Sequence, residues 1–276
     1  MLRALAALTS AAVALVFAQT AFASSNDPYS GLAQGSDISW PQCGSSYPRG
    51  VGFGIVGIDH GRPFDVDNQY GPNTCLASEY AWAPAGRQAL YLNTGWDPSY
   101  YTNHLVADCD NTSRLKTFVD DTHRQAWEVG CATAWFNENY ALDPKTTVVS
   151  SGSAAGVTWT RYGQALAQPK VWWLDVETGN SWSSTDLTLN AEALQGAVDE
   201  LGVLTPGVPV GAYSTSLQWG QIAGTTNTVG GMAGIWVATG QKSSRNVTSY
   251  CTKTFDGFSR AWLVQWVGRV DYDVAC

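Results

Sequence analysis

Apolar and polar positions along this chain alternate between short β-rich runs and stretches with helical spacing. The segment 37–40 (Asp-Ile-Ser-Trp) reads as the end of a first strand, 50–58 as a second and 88–92 as a third. Between the last two, 75–88 is helical in character, with Leu76, Tyr80 and Ala83 on one face. A long polar stretch, 96–121, predicts an ordered loop or small excursion. A helix is predicted from Asp120-Asp121-Thr122, good N-terminal residues, with Trp127, Cys131, Ala134 and Trp135 facing inward. Further strands are predicted at 171–176, 208–213, 234–238, 261–267 and 270–274, with a helix at 187–201. Strands alternating with helices imply a mainly parallel sheet, and this number of strands closes best as one α/β barrel of the TIM type. No linker, repeat or tract of like charge divides it.

The first 23 residues read as a secretory signal: Arg3, an apolar stretch over 4–17, and Ala21-Phe22-Ala23 as the cleavage pattern. The barrel domain is then 24–276, in a protein expected outside the cytoplasm with no membrane span. Losing Arg3 takes the formal charge from −8 to −9, which disfavours nucleic acid and anionic membrane as partners. Six cysteines in an exported chain favour disulfides. The sequential pairing Cys43–Cys75, Cys109–Cys131 and Cys251–Cys276 is expected, because it closes short loops and ties down the last residue. Most of the thirteen Trp and twelve Tyr belong to an aromatic core. Trp40, Trp96, Trp182 and Trp219, beside acids or Gly-rich turns, have the flat rings that suit the apolar faces of sugars.

The most informative stretch is Leu174-Asp175-Val176-Glu177-Thr178, where two carboxylates follow at once on an apolar run. On a strand, Trp173, Asp175 and Glu177 share one face and Trp172, Leu174 and Val176 the other. The two acids' α-carbons then lie ~6.6 Å apart, close enough for both carboxyls to reach one glycosidic bond. In a barrel of this kind the active site forms at the C-terminal strand ends. Three of these ends carry acids here: Asp37, the Asp175/Glu177 pair, and Asp271 or Asp273. Glu177, the longer side chain, is expected to be the general acid, raised by burial and by a neighbouring anion, with Asp175 as its anionic partner. Asp37 and Asp271 would position substrate or water, or stabilise an oxocarbenium-like transition state.

These segments occur in a telling order: Asp-Ile-Ser (37–39), Leu-Asp-Val-Glu (174–177), Ala-Tyr-Ser (212–214), Ile-Trp-Val-Ala (235–238), Gln-Trp (265–266) and Val-Asp-Tyr-Asp (270–273). Together they resemble glycoside hydrolase family 25, the Chalaropsis-type lysozymes or muramidases, as a divergent branch of secreted bacterial proteins. The resemblance implies a modified β/α barrel that cleaves the β-1,4 bond between N-acetylmuramic acid and N-acetylglucosamine in peptidoglycan. By position it makes Glu177 the catalytic acid, Asp175 its partner, and Asp37 and Asp271 the acids of the first and last strands. Tyr213 and Trp236 match aromatic substrate-binding positions. The family's second strand usually ends Lys-Ala-Thr and its third Tyr-His-Phe; here they end Gly57-Ile58-Asp59-His60 and Tyr91-Leu92-Asn93, and the late Trp-Gln-Tyr is Val264-Gln265-Trp266. Asp59, Asn93 and Gln265 therefore join the expected substrate-binding set.

No Gly-x-Ser-x-Gly elbow is present, and His60, His104 and His123 show no metal-ligand spacing, so neither a metal nor a cofactor is expected. His60, after a strand end, is a further residue that could line the cleft; His123, in a helical first turn, reads as structural. The partner expected is a polysaccharide, peptidoglycan first, met by a monomer. Two alternatives stay open: a barrel that binds glycan without cleaving it, and a hydrolase of another polysaccharide.

Overall fold

The computed structural model describes residues 27–65, 72–110, 116–144, 146–149, 158–161 and 163–276, with only the backbone of 146–149 and 158–161. The expected signal segment 1–23 lies outside them.

Among the described residues ten strands run in chain order: β1 Gly35–Ile38, β2 Gly54–Gly57, β3 Gln88–Asn93, β4 Thr146–Val149, β5 Thr158–Arg161, β6 Trp172–Asp175, β7 Val210–Ser214, β8 Gly234–Ala238, β9 Leu263–Val267 and β10 Asp271–Ala275. The helices are α1 Leu76–Trp82, α2 Pro98–His104, α3 Asp121–Leu142, α4 Leu187–Leu204 and α5 Ser216–Ile222. Eight strands close into a barrel in the order β1-β10-β9-β8-β7-β6-β3-β2, while β4 and β5 form a separate antiparallel hairpin. All neighbours in the barrel are parallel except β10, which is antiparallel to both β9 and β1. Only Gly268, Arg269 and Val270 join β9 to β10, too short a connection for a crossover to a parallel strand. The β4–β5 hairpin and the seven-residue α5 were not expected from the sequence; α5 is too short, and too interrupted by Gly220, to show a period.

Alternation along the strands sorts the apolar residues into two clusters. Trp172, Leu174 and Val176 join the large core between barrel and helices. Trp173 instead joins Tyr29, Phe53, Ile55, Ala89, Trp236, Trp262 and Leu263 in a second cluster inside the barrel. Glycines admit these interior rings: a Cβ on Gly211 would stand 2.4 Å from Trp173, and one on Gly234 2.2 Å from Trp262. The lower barrel is a packed aromatic plug, so any cleft must form above it.

Helices begin where side-chain acceptors meet their free N–H groups. Asp120 accepts from the His123 N–H at 3.0 Å, and Asp186 accepts from the Thr188 N–H at 3.0 Å. His123 is structural as expected, its ring contacting Asp120 and Thr188, each at 2.8 Å. The predicted inner face of α3 is buried, but so is every residue from Ala126 to Ala141. Part of that burial comes from α4, which crosses α3 at touching backbones: a Cβ on Gly130 would meet the Ala193 carbonyl oxygen at 1.7 Å, and one on Gly196 the Trp127 carbonyl oxygen at 2.0 Å. The expected disulfides Cys43–Cys75, Cys109–Cys131 and Cys251–Cys276 are formed, with α-carbon separations of 5.5, 5.6 and 5.6 Å. Among the described residues no helix is long and apolar enough to cross a membrane.

The helix crossing gives a stability test with an internal control. Gly196→Ala is expected to cost about 1–3 kcal/mol, seen as a lower denaturant midpoint with an unchanged slope. Gly202→Ala, on the same helix with nothing within 4 Å of a Cβ, should be neutral or add up to about 1 kcal/mol.

Candidate active site

Asp175 ends β6 and faces the barrel interior two residues beyond Trp173, as strand alternation requires. Across the sheet it is paired with Asn93 of β3 on one side and Tyr213 of β7 on the other. Thr94 Oγ1 donates to the Asp175 carbonyl oxygen at 2.6 Å, and Ser214 Oγ to that of Val176 at 2.8 Å, so both neighbouring strand ends hold this one in place. Glu177 follows just past the strand; its own carbonyl accepts from the Trp182 indole N–H at 2.8 Å. From the two ends of the chain, Asp37 of β1 pairs directly across from Asp271 of β10.

These four acids line one cavity of about 140 Å³ with Tyr91, Tyr213, Trp236 and Gln265. Gln265 Nε2 donates to Asp37 Oδ2 at 2.9 Å, and its Oε1 accepts from the Tyr213 hydroxyl at 2.7 Å, so the amide is oriented from both ends. Tyr213 packs on Trp236 with ring centroids 4.4 Å apart. Tyr91, named from the sequence only as part of the third-strand ending, was not among the expected site residues, although it lies two residues before Asn93 and so shares its face. Gly57 makes room for it: a Cβ there would stand 2.5 Å from the Tyr91 ring.

Asp59 and Asn93, expected to contact substrate, do not line this cavity. They bond to each other: the Asn93 N–H donates to Asp59 Oδ2 at 2.8 Å and its Nδ2 to Oδ1 at 2.6 Å, and the Gly61 N–H adds a third bond at 3.1 Å. A carboxylate that accepts three donors while 1% exposed braces the strand ends. Of the four tryptophans suited to sugars, Trp96 and Trp219 are buried, at 3% and 2% exposure, and belong to the core. Their rings cover apolar surface that the neighbouring polar sequence concealed. Trp182 is partly buried, while Trp40 remains exposed and stacks on His60 at 3.7 Å.

Burial dominates the electrostatics. It pushes Asp37 up to about 7, helped by the Asp271 charge and opposed by hydrogen bonds from Gln265 and Asp273. It also pushes Asp59 up to about 7 against its three donors. Asp175 is driven well above the usual carboxylate range, first by burial, then by the charges of Glu177, Asp59 and Asp37. Its Oδ1 is buried with no hydrogen-bond partner among the described residues. Glu177, half-buried, is raised by burial and by Asp271 and lowered by Gln218. Burial and the charges around them thus raise the proton affinity of both members of the Asp175/Glu177 pair, which titrate together.

No protein-family model and no curated protein sequence matches this chain. Solved structures do match. A muramidase from Acremonium alcalophilum superposes with a TM-score of 0.51 at 13% identity, covering 88% of this chain and 93% of that one. A muramidase from Trichobolus zukalii gives 0.51 at 15% identity, over 88% and 93% of the two chains. The chain has the barrel fold of these muramidases.

The raised carboxyls carry a signed prediction. A group whose proton affinity is higher folded than unfolded adds stability that is complete below about pH 4 and lost as pH rises through its folded value, about 7 for Asp37 and Asp59. Asp120 and Asp186, lowered by hydrogen bonds from His123 and Thr188, act in the opposite sense but lie at the surface. The denaturant midpoint is therefore expected to rise from pH 8 to about 5, and Asp175→Asn to flatten that slope and gain about 1–3 kcal/mol at pH 8.

Proposed function

We propose that this chain is an exported glycoside hydrolase that cleaves β-1,4 bonds of cell-wall peptidoglycan. One observation carries the reading: Asp37, Asp175, Glu177 and Asp271, from both ends and the middle of the chain, line a single cavity above an aromatic plug. Unpaired buried carboxylates cost several kcal/mol, and a stability-driven design would avoid them. Glycosidic cleavage needs them, since one must donate a proton while another faces developing positive charge. The shared fold of the muramidases supports the choice of glycan, and the three disulfides suit an extracellular protein.

In this mechanism Glu177, raised by burial and held at the rim, protonates the bridging oxygen as the bond to the anomeric carbon breaks. The leaving sugar departs as an alcohol, and the charge on the remaining ring is met by the carboxylates of Asp37 and Asp271. A water then adds to the anomeric carbon and its proton returns to a carboxylate, which restores the acid. Asp175 shares its proton with Glu177, and its negative form would keep Glu177 protonated. Gln265 and Tyr213 hold Asp37 in place, and Tyr213, backed by the buried Trp236, offers an apolar face to the ring.

Reducing ends released from purified peptidoglycan measure the activity. Glu177→Gln is expected to lower kcat about 10²–10⁴-fold with little change in glycan affinity. Equal rates for both proteins would remove Glu177 from its role. Binding without hydrolysis by wild type would identify a non-catalytic barrel. Cleavage of chitin in preference to peptidoglycan would change the substrate and keep the chemistry.

A further inference from the structure

Asp273 takes no part in the mechanism above, yet it is the most deeply enclosed carboxyl near the site. It lies two residues beyond Asp271 on β10, so the two share the inward face, and it pairs across with Gly35, two residues before Asp37. On the other side it is paired with Gln265. Asp273 thus stands one layer below Asp37 and Asp271, above the aromatic plug. It is 0% exposed, and among the described residues neither oxygen has a donor at hydrogen-bond geometry. The indole N–H of Trp236 is also buried without an acceptor.

Among the described residues no cation answers this carboxyl. The groups that act on it are Asp37 from β1, Asp271 from its own strand and the Trp236 indole from β8. Gln265, facing it from β9, spends its Nε2 on Asp37. Tyr29, below, stays a neutral phenol: burial raises it far above its ordinary value, and Asp273 adds to that. An ionised Asp273 would sit in a low-dielectric layer with two carboxylates above it and one indole N–H to offset them, a cost that protonation removes. Burial first, then the charges of Asp37 and Asp271, push its proton affinity well above the usual carboxylate range.

We propose that Asp273 is a positioning residue for Asp37: a carboxylic acid kept neutral inside the barrel, whose O–H is donated to Asp37 and fixes that group as the anion facing the sugar. The inference rests on the glycosidase reading above and deepens it. Asp37 then receives two donors from below and beside, the Asp273 hydroxyl and the Gln265 amide. No proton leaves Asp273 during turnover; it serves as an uncharged donor, as an amide would. It adds no charge to a cavity that already holds four acids.

Two variants and two readouts test this. Asp273→Asn keeps a donor of nearly the same shape, and Asp273→Leu removes it. If Asp273 is a neutral donor, Asp273→Asn keeps kcat/KM within about threefold of wild type and leaves the acidic limb of its pH profile unmoved, while Asp273→Leu moves that limb up by about one pH unit as Asp37 becomes easier to protonate. An ionised Asp273 gives the opposite sign: both variants relieve repulsion and move the limb down. A loss beyond about a hundredfold in folded Asp273→Asn would also overturn the proposal, because it would mean that the acid itself titrates in catalysis. The second readout needs no activity. The infrared difference between wild type and Asp273→Asn at about pH 8 should show loss of a protonated-carboxyl band, and loss of carboxylate bands instead contradicts the proposal. Absence of hydrolysis in wild type would count against the glycosidase reading alone, since the infrared result still decides the state of Asp273.

Discussion

The structure turns on one constraint, the closure of the sheet over an apolar plug. An eight-strand barrel has no free edge, and its interior is filled from below by Tyr29, Phe53, Trp173, Trp262 and their neighbours. Side chains one layer higher on the same strands can neither reach bulk water freely nor turn away, because the pleat fixes which face they share. Placing Asp37, Asp175, Asp271 and Asp273 on that inward face therefore commits the molecule to carboxyls with raised proton affinity. Chemistry and instability arise from the same geometry.

Much of this was legible in the sequence because it depends on period two. The split of Trp172, Leu174 and Val176 from Trp173 and Asp175 follows from counting along one apolar run: the structure puts the first three in the outer core, Trp173 in the inner cluster and Asp175 on the cavity. The strand ends named as acidic also converge, since a barrel gathers such ends wherever they fall in the chain. What stayed hidden depends on partners rather than period. Asp59 and Asn93 look like cleft residues until their mutual hydrogen bonds are seen. Trp96 and Trp219 sit in polar sequence yet are covered by residues distant in the chain. The direction of β10 was implicit in its three-residue connection to β9, but its consequence, Asp273 one layer below Asp37, appears only once the register is known.

Disulfides brace the barrel at both of its ends. The Cys43–Cys75 bridge ties the turn after β1 to the start of α1, and Cys251–Cys276 ties the end of β10 to the loop that precedes β9. The first and last strands, whose acids face each other as Asp37 and Asp271, are thus each anchored near their ends. Bridges of this kind act by restricting the unfolded chain, and they lend stability to a barrel whose mouth is loaded with unfavourable charge.

Carboxyl carbon chemical shifts of Asp- and Glu-labelled protein, followed from about pH 3 to pH 9, test the central claim most directly. The account predicts a small group of carboxyls, Asp37, Asp175 and Asp273 among them, that titrate well above the ordinary carboxylate range with mutually dependent curves. Simple titration of every carboxyl within the ordinary range around pH 4 would contradict it, because a proton-holding cluster inside the barrel could not then exist.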